Sequence, residues 1–200
     1  MKSVSEVYKG RFFQNRRSLS WRVPYVVDAL ISTFDLYPGS TVVDMGCGIG
    51  DYVLGLKERE IAACGIEGSR EANAYFVTDD ISNYDLRLPL PFRGVKKLDL
   101  AFSLEVAEHI EPEYADVYVQ NLCSSSDTIL ISAASPGQKG HGHYNCQPRG
   151  YWIEKFQAFG YENIFRLEVL WRANLSEVGY KKELDSYRKN SMVFKRRLNE

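Results

Sequence analysis

Short apolar runs alternate with amphipathic stretches along most of this 200-residue chain. The short runs are rich in β-branched residues, which indicates buried strands, and the stretches between them show the helical spacing of apolar residues. The pattern predicts strands at 41–45, 61–66, 75–78, 98–103, 128–133, 163–171 and 192–195. It predicts helices at 4–34, 51–59, 69–73, 111–123 and 148–159. This alternation is typical of an α/β fold with a mostly parallel sheet flanked by helices.

The turn after the first strand carries the strongest chemical signal. It reads Asp44-Met45-Gly46-Cys47-Gly48-Ile49-Gly50, and a helical pattern begins at Asp51. Glycines in a strand-to-helix turn permit positive φ and keep Cβ atoms away from a ligand. Amides at the start of the helix can then face a polar or anionic group. The turn therefore predicts a site for a nucleoside-bearing cofactor.

Acidic side chains that follow the predicted strands narrow the choice of cofactor. Glu67 follows the second strand, where a carboxylate can accept hydrogen bonds from both ribose hydroxyls. Asp80 follows the predicted third strand, where it could accept from the exocyclic amine of adenine while Ile81 packs on the ring. Asp44, directly before the glycines, suits an ammonium group better than a pyrophosphate, which it would repel. A dinucleotide-dependent dehydrogenase is therefore the less favoured alternative.

This succession of residues, continued by residues 99–105, resembles the class I S-adenosylmethionine (SAM)-dependent methyltransferases over about residues 41–161. The resemblance implies a Rossmann-like methyltransferase fold, with a seven-stranded, mostly parallel sheet whose last strand is antiparallel. It implies SAM as the cofactor. It also implies that the turn from Asp44 through Gly46, Cys47 and Gly48 lies by the methionine, that Glu67 holds the ribose, that Asp80 and Ile81 flank the adenine, and that Ser103 and Leu104 lie near the amino-acid end.

A second candidate site is the fragment Glu105-Val106-Ala107-Glu108-His109. On a helical turn, spacings of three and four residues place Glu105, Glu108 and His109 on one face. With a later histidine they could bind a metal ion, either Mg²⁺ or Mn²⁺. Similar fragments carry Mg²⁺ in the small-RNA 2′-O-methyltransferases of the plant Hen family, yet many metal-free methyltransferases have them too. The alternative is a glutamate and a histidine that cap the loop or line the acceptor pocket.

The loop after the fifth strand, residues 135–152, is rich in glycine, histidine and amide side chains. Its His141 and His143 are the histidines available to complete a metal site, and His143 joins Glu105, Glu108 and His109 in the predicted set. Neutral His143 could also act as a general base, because a pKa near ~6.5 suits proton removal around neutral pH. We therefore predict His143, Glu105 and His109 as catalytic residues. The alternative is a loop that caps the next helix.

Composition and charge set the remaining expectations. Four cysteines without paired spacing, no signal-peptide pattern and no apolar run near the ~20 residues of a membrane span predict a reduced, cytoplasmic protein of one domain, residues 1–200. Net charge is −1, yet both ends are basic and no lysine or arginine lies between Lys97 and Lys139. The basic ends suit either RNA or a solvated surface. The helical segment 1–37 carries aromatic residues and is predicted to form a lid over the cofactor.

The leading functional hypothesis is methyl transfer from SAM to an oxygen or nitrogen acceptor, which is either a small molecule or RNA. One alternative is a metal-dependent RNA 2′-O-methyltransferase. Another is a subunit that binds SAM without performing chemistry. The sequence predicts neither the acceptor nor the oligomeric state.

Overall fold

The computed structural model describes residues 8–91, 96–176 and 182–197. Its sheet contains β1 (Thr41–Met45), β2 (Ala62–Glu67), β3 (Ile81–Asn83), β4 (Leu100–Leu104), β5 (Thr128–Ser132), β6 (Tyr161–Asn163) and β7 (Ser191–Arg196). The α-helices of this part of the chain are α1 (Gly10–Arg17), α2 (Val23–Phe34), α3 (Asp51–Lys57), α4 (Ala115–Ser125), α5 (Arg149–Ala158), α6 (Phe165–Asn174) and α7 (Asp185–Lys189). None of these described helices is long and apolar enough to cross a membrane.

The strand order in the sheet is β3-β2-β1-β4-β5-β7-β6. Strands β1 to β5 pair in parallel, and β7 runs antiparallel between β5 and β6. The strand order reverses between the neighbouring strands β1 and β4. In sheets of this kind, ligands bind beyond the carboxyl ends of the strands at this switch point. The expected seven-stranded, mostly parallel sheet with an antiparallel last strand is confirmed.

Helices cover both faces of the sheet because the central strands are apolar on both sides. Val42 and Leu100 pack in one core with α2, α3 and α6, whereas Val43 and Ala101 pack in the other core with α4 and α5. Successive side chains of a strand point to opposite faces, so each central strand contributes to both cores. This double packing fixes where the strands end and therefore where their terminal side chains lie.

The third strand lies further along the chain than predicted. β3 is parallel to β2, with Ile81 opposite Gly65 and Asn83 opposite Glu67. Residues 70–75 form a 3₁₀ turn in place of the predicted helix at 69–73, and the apolar run that follows packs with Phe13 in a small separate core. The predicted strand at 75–78 is therefore wrong, and residue 80 precedes the third strand.

The segment predicted as a long strand at 163–171 is also different. β6 ends at Asn163, and the helix α6 follows it directly. Leu167 and Trp171 are buried four positions apart, while Val169 and Leu170 between them are exposed. The buried residues have helical spacing, which the nearly continuous run of apolar residues concealed.

The helix predicted at 4–34 is interrupted. α1 ends at Arg17 and α2 begins at Val23, with a 3₁₀ turn over Ser20–Arg22 between them. Residues 4–7 lie outside the described residues. The interruption lets α1 pack against Ile49 and Ala72 through Phe13, at the carboxyl end of the sheet.

Candidate functional site

A cavity of about 360 Å³ lies beyond the carboxyl ends of β1 to β4. Its walls come from the glycine turn, the residues that follow β2, β3 and β4, the loop after β5, and helix α1. Of the predicted site residues, those that line it are Gly46, Gly48, Glu67, Glu105, Glu108, His109 and His143. The cavity therefore joins the predicted cofactor site to the predicted acceptor site.

Glu67 anchors the cofactor end of this cavity. Its side chain is only 8 % exposed, and it accepts hydrogen bonds from the amides of Gly48 (2.9 Å) and Ser69 (2.7 Å). Burial raises the pKa of Glu67, whereas the amides and Arg16 act in the opposite direction. Each carboxylate oxygen can accept more than one hydrogen bond, so the fixed carboxylate can still receive the two hydroxyls of a ribose.

The glycine turn approaches the cavity closely because it lacks side chains. Gly46 and Gly48 have φ of +85° and +61°, in the left-handed region that favours glycine. A Cβ on Gly48 would lie 3.4 Å from the guanidinium of Arg16, which α1 brings across the turn. The turn and Arg16 thus form a narrow space with a positive charge on one side.

Arg16 is a residue that the sequence reading missed. Burial opposes its charge, but Tyr187, Asp51, Tyr52 and Asp44 raise its pKa, so the guanidinium stays positive. Its Nε atom is buried and has no hydrogen-bond partner among the described residues. A buried donor without a partner is costly, which indicates that the guanidinium is positioned for an anionic group. The signal in the sequence was the concentration of arginine near the N-terminus.

Asp85 and Leu86 occupy the position expected of the adenine-binding residues. They follow β3 and line the cavity, and the amide of Tyr84 donates to the carbonyl of Glu67 (3.0 Å), which keeps the two strand ends together. Asp85 pairs with Arg87, at 2.7 Å. The pair Asp85-Leu86 is present in the sequence, but the third strand was predicted too early, so Asp80 and Ile81 were assigned the adenine-binding role instead.

Asp80 and Ile81 do not line the cavity. Asp80 precedes β3 and forms an ion pair with Lys57 of α3, while Ile81 lies against Gly50 at the start of that helix. The expectation that Asp80 follows the third strand and flanks the adenine with Ile81 is therefore corrected. The cause is the shift of the strand, because a residue before a parallel strand lies at its opposite end.

Four other predicted cofactor residues lie behind the cavity wall. Cys47 points its Sγ toward Gly65 in the core, and Leu104 is buried in the same core. Ser103 donates a hydrogen bond to the carbonyl of Met45 and so ties β4 to β1. Asp44 is buried, and burial followed by the nearby Asp51 raises its pKa well above the usual range. These side chains support the turn from behind, and Asp44 lies close enough to Arg16 to raise its pKa.

The fragment 105–109 does not form the helical face predicted from its spacing. Glu105 has φ of +56°, and only Ala107–His109 makes a 3₁₀ turn. The carboxylate of Glu105 accepts from Nδ2 of Asn190 (3.3 Å), which also donates to Gln138 (3.0 Å). The strained backbone turns Glu105 away from the helical arrangement. The prediction that Glu105, Glu108 and His109 share one helical face is therefore wrong.

Glu108, His109 and His143 form a cluster that we call the acceptor trio. One ligand atom from each lies within 4.8 Å of the others, and Oε1 of Glu108 is 4.0 Å from Nε2 of His143. Glu108 has no exposed surface, and neither of its oxygens has a hydrogen bond within the described part of the chain. Burial, followed by the charge of Glu105, raises the pKa of Glu108 well above that of an ordinary glutamate.

Both imidazoles of the trio are oriented by backbone carbonyls. Nδ1 of His109 lies 2.9 Å from the carbonyl oxygen of Gly142, and Nδ1 of His143 lies 3.1 Å from that of Gln138. A carbonyl only accepts, so Nδ1 carries a hydrogen in each ring, and Nε2 of a neutral ring presents a lone pair. Burial lowers the pKa of His109 to about 4, which keeps it neutral.

The donor set of the trio suits Mg²⁺ poorly. Mg²⁺ takes oxygen ligands, and the trio supplies one carboxylate and two imidazoles. Glu105 is held elsewhere by Asn190, and the ring of His141 packs near Tyr8. An octahedral ion with ligands at ~2.1 Å has opposite ligands ~4.2 Å apart, close to the Glu108–His143 separation of 4.0 Å, so the spacing alone does not exclude Mn²⁺.

Helix α1 and Tyr8, two residues before it, cover the cavity. The ring of Tyr8 packs edge-on near His109, with centroids 5.4 Å apart, and its carbonyl accepts from the hydroxyl of Ser69 (3.3 Å). Phe12, Phe13 and Arg16 of α1 line the same cavity. A short segment of chain therefore contacts both the cofactor end and the acceptor trio.

Comparisons with known proteins match the fold. No family model matches the sequence, and no curated protein is similar to it in sequence. A chain of the complex with the Haloferax volcanii Trm112 methyltransferase activator has a TM-score of 0.66 at 15% identity, covering 99% of this chain and 100% of that one.

Two methyltransferases have the same fold. Magnesium protoporphyrin IX methyltransferase of Synechocystis PCC 6803, solved with S-adenosylhomocysteine (SAH), has a TM-score of 0.60 at 19% identity, covering 91% of this chain and 80% of its own. The sugar N-methyltransferase KedS8 of a Streptoalloteichus species has a TM-score of 0.61 at 14% identity, covering 91% and 93%. The [4+2]-cyclase SpnF has this fold too, so the fold alone does not decide the reaction. The chain has the Rossmann-like methyltransferase fold.

Proposed function

We propose that this protein transfers a methyl group from SAM to an oxygen or nitrogen atom of a small molecule. The observation that carries the proposal is the continuous cavity, which has Glu67 and the glycine turn at one end and the acceptor trio at the other. The groups at the cofactor end suit SAM because its ribose, adenine and methionine carboxylate would each meet a complementary partner. Glu67 would hold the ribose, Asp85 and Leu86 the adenine, and Arg16 the methionine carboxylate. Bound SAM supplies an electrophilic methyl group.

The imidazoles at the acceptor end support a role in proton removal. In its neutral form His143 offers the lone pair of Nε2, which can accept a proton from a hydroxyl or an ammonium group. The pKa of His109, about 4, makes it the weaker base of the two. Glu105, fixed by Asn190, would orient the loop through Gln138. Helix α1 would act as the lid that excludes water, since it covers both ends of the cavity.

The small-molecule acceptor is favoured over RNA. Magnesium protoporphyrin IX and a sugar are small acceptors named for two proteins of this fold, and the comparisons give no support for a metal-dependent RNA 2′-O-methyltransferase. The trio's one carboxylate and two imidazoles are also a poor ligand set for Mg²⁺. We therefore propose a small molecule as the methyl acceptor.

The proposal is tested by incubating the protein with methyl-labelled SAM and pooled small amines, alcohols and acids. We expect label in one pool, loss of transfer in Glu67→Ala and in His143→Ala, and unchanged transfer in Asp80→Ala, whose carboxylate lies outside the cavity. If His143→Ala still binds SAM, His143 takes part in methyl transfer and not in cofactor binding. Tight SAM binding without transfer to any pool would favour the non-catalytic subunit.

A further inference from the structure

Building on the proposed function, we propose that Glu108, His109 and His143 together bind a protonated primary amine of the acceptor. The reaction class is thereby narrowed from small molecules in general to amine-bearing ones. Two features of the trio carry this inference, the kind of atoms that converge and the burial of the carboxylate, and the distances between the atoms admit it.

The atoms that converge are all hydrogen-bond acceptors. Both histidines direct Nδ1–H to a backbone carbonyl, so in its neutral form each offers the lone pair of Nε2. Burial raises the pKa of Glu108 to about 8, so a bound cation would replace the proton of this carboxyl group, and the ionised carboxylate then only accepts. Three acceptors facing one point need an occupant with several donors, and a primary ammonium carries three N–H groups.

The distances admit a nitrogen atom at the centre of the trio. A tetrahedral nitrogen that donates three hydrogen bonds of ~2.8 Å holds its acceptors ~4.6 Å apart. The trio has one separation of 4.0 Å, and all its ligand atoms lie within 4.8 Å of one another. A tetrahedral metal with ligands at ~2.1 Å would need ~3.4 Å. The separation lies midway between the two values, so the kind of atoms and the burial of the carboxylate carry the choice of an ammonium group.

Because Glu108 is buried, its ionised form needs a positively charged partner. A carboxylate with no exposed surface and no hydrogen bond from the described residues carries a large desolvation cost when ionised. The backbone amides of Glu108 and Ala134 lower the pKa of this carboxyl group, but neither donates a hydrogen bond to it. Glu105 lies close enough to add a second negative charge to this end of the cavity. An ammonium group supplies both the charge and the donors that are missing.

The test is a titration of full-length protein with methylammonium chloride, followed through the imidazole resonances of its three histidines. Methanol serves as the uncharged probe of similar size, and sodium chloride controls for ionic strength. We expect saturable shifts of His109 and His143, with a Kd at least ~10-fold lower for methylammonium than for methanol. Glu108→Gln should lose this preference, and Glu113→Gln, whose side chain is exposed outside the cavity, should keep it.

Equal binding of methylammonium and methanol, or no saturable shift with either, overturns the proposal. Stoichiometric binding of Mn²⁺ that displaces methylammonium also overturns it and assigns the trio to a metal. The comparison of the two probes on the unmodified protein decides the matter even if Glu108→Gln fails to fold. A separate calorimetric titration with SAH tests the proposed function, so a failure of the cofactor site and a failure of the amine site give different results.

Discussion

At the residue scale, the acceptor trio is built from groups whose usual partners are missing. Glu108 is a fully buried carboxyl group, and its nearest side-chain neighbour in the trio is an imidazole 4.0 Å away. Buried polar groups in folded proteins are normally hydrogen-bonded, and the exceptions concentrate at functional sites. The energetic cost of this residue should therefore be measurable in the ligand-free protein.

Replacing Glu108 with glutamine should stabilise the ligand-free protein at alkaline pH. Burial raises the pKa of Glu108 to about 8, above its unfolded value of ~4.3, so the folded state binds this proton more tightly than the unfolded state. Its stabilising contribution is present below pH ~4.3 and is lost as the pH rises toward 8. Glu108→Gln has no such loss, and we expect it to be ~1–3 kcal/mol more stable at pH 9.

Urea unfolding between pH 4 and pH 9 makes this comparison. Glu113→Gln is the control, and its stability should follow the unmodified protein throughout. A stability difference between Glu108→Gln and the unmodified protein that does not grow with pH would contradict the raised pKa.

Gly140 makes room for the ring of His143. A Cβ at position 140 would lie 2.0 Å from Nε2 of His143, and the backbone there is outside the left-handed region. Gly140→Ala should therefore displace the imidazole, break its hydrogen bond to Gln138 and cost ~1–3 kcal/mol of stability. Gly150→Ala is the matched control, because no atom lies within 4 Å of its added Cβ. An unchanged His143 resonance in Gly140→Ala would contradict this packing.

At the element scale, α6 and α1 are the elements that the sequence pattern described least well. In α6, Leu167 and Trp171 are buried whereas the apolar residues between them are exposed, and the sequence alone does not distinguish the two groups. Similarly, α1 was hidden inside one long predicted helix. Both errors arose because a run of apolar residues does not itself reveal which of its members face the core.

The helical assignment of α6 predicts unequal effects of two substitutions. Trp171 is fully buried, and its indole N–H donates to Tyr187 and Ser191 at 3.1 and 3.0 Å. Trp171→Ala should therefore cost ~3–5 kcal/mol of unfolding free energy. Val169→Ala, at a position 49 % exposed, should cost less than ~0.5 kcal/mol. Similar losses in the two variants would contradict the helix.

Replacing the residue that anchors α1 tests whether this helix acts as a lid. Phe13 is the buried residue of α1, and it packs against Ile49 and Ala72. Phe13→Ala should loosen the helix and speed trypsin cleavage after Arg11 and Arg17 several-fold, because local opening exposes these bonds. SAH should slow cleavage of the unmodified protein. Cleavage rates that SAH leaves unchanged would contradict a lid over the cofactor.

At the scale of the whole molecule, the sequence predicted the sheet and its ligand-binding end. The glycine turn and Glu67 could be located because glycine conformation and strand alternation are local properties. Asp85 and Leu86 were missed because the register of β3 depends on pairing with β2, which no local pattern shows. Arg16 was missed because its place in the cavity depends on contacts between distant segments, which only the folded chain brings together. Glu108, His109 and His143 were predicted from the sequence, but Glu105 was grouped with them on a helical face that the positive φ of Glu105 prevents.

The most direct test of the account is a calorimetric titration of SAH into the unmodified protein and three carboxylate variants. We predict one SAH per chain, at least ~10-fold weaker binding in Glu67→Ala and in Asp85→Ala, and unchanged binding in Asp80→Ala, since loss of an exposed ion pair costs little. No binding of SAH to the unmodified protein, or equal losses in Asp80→Ala and Glu67→Ala, would contradict the proposed SAM site.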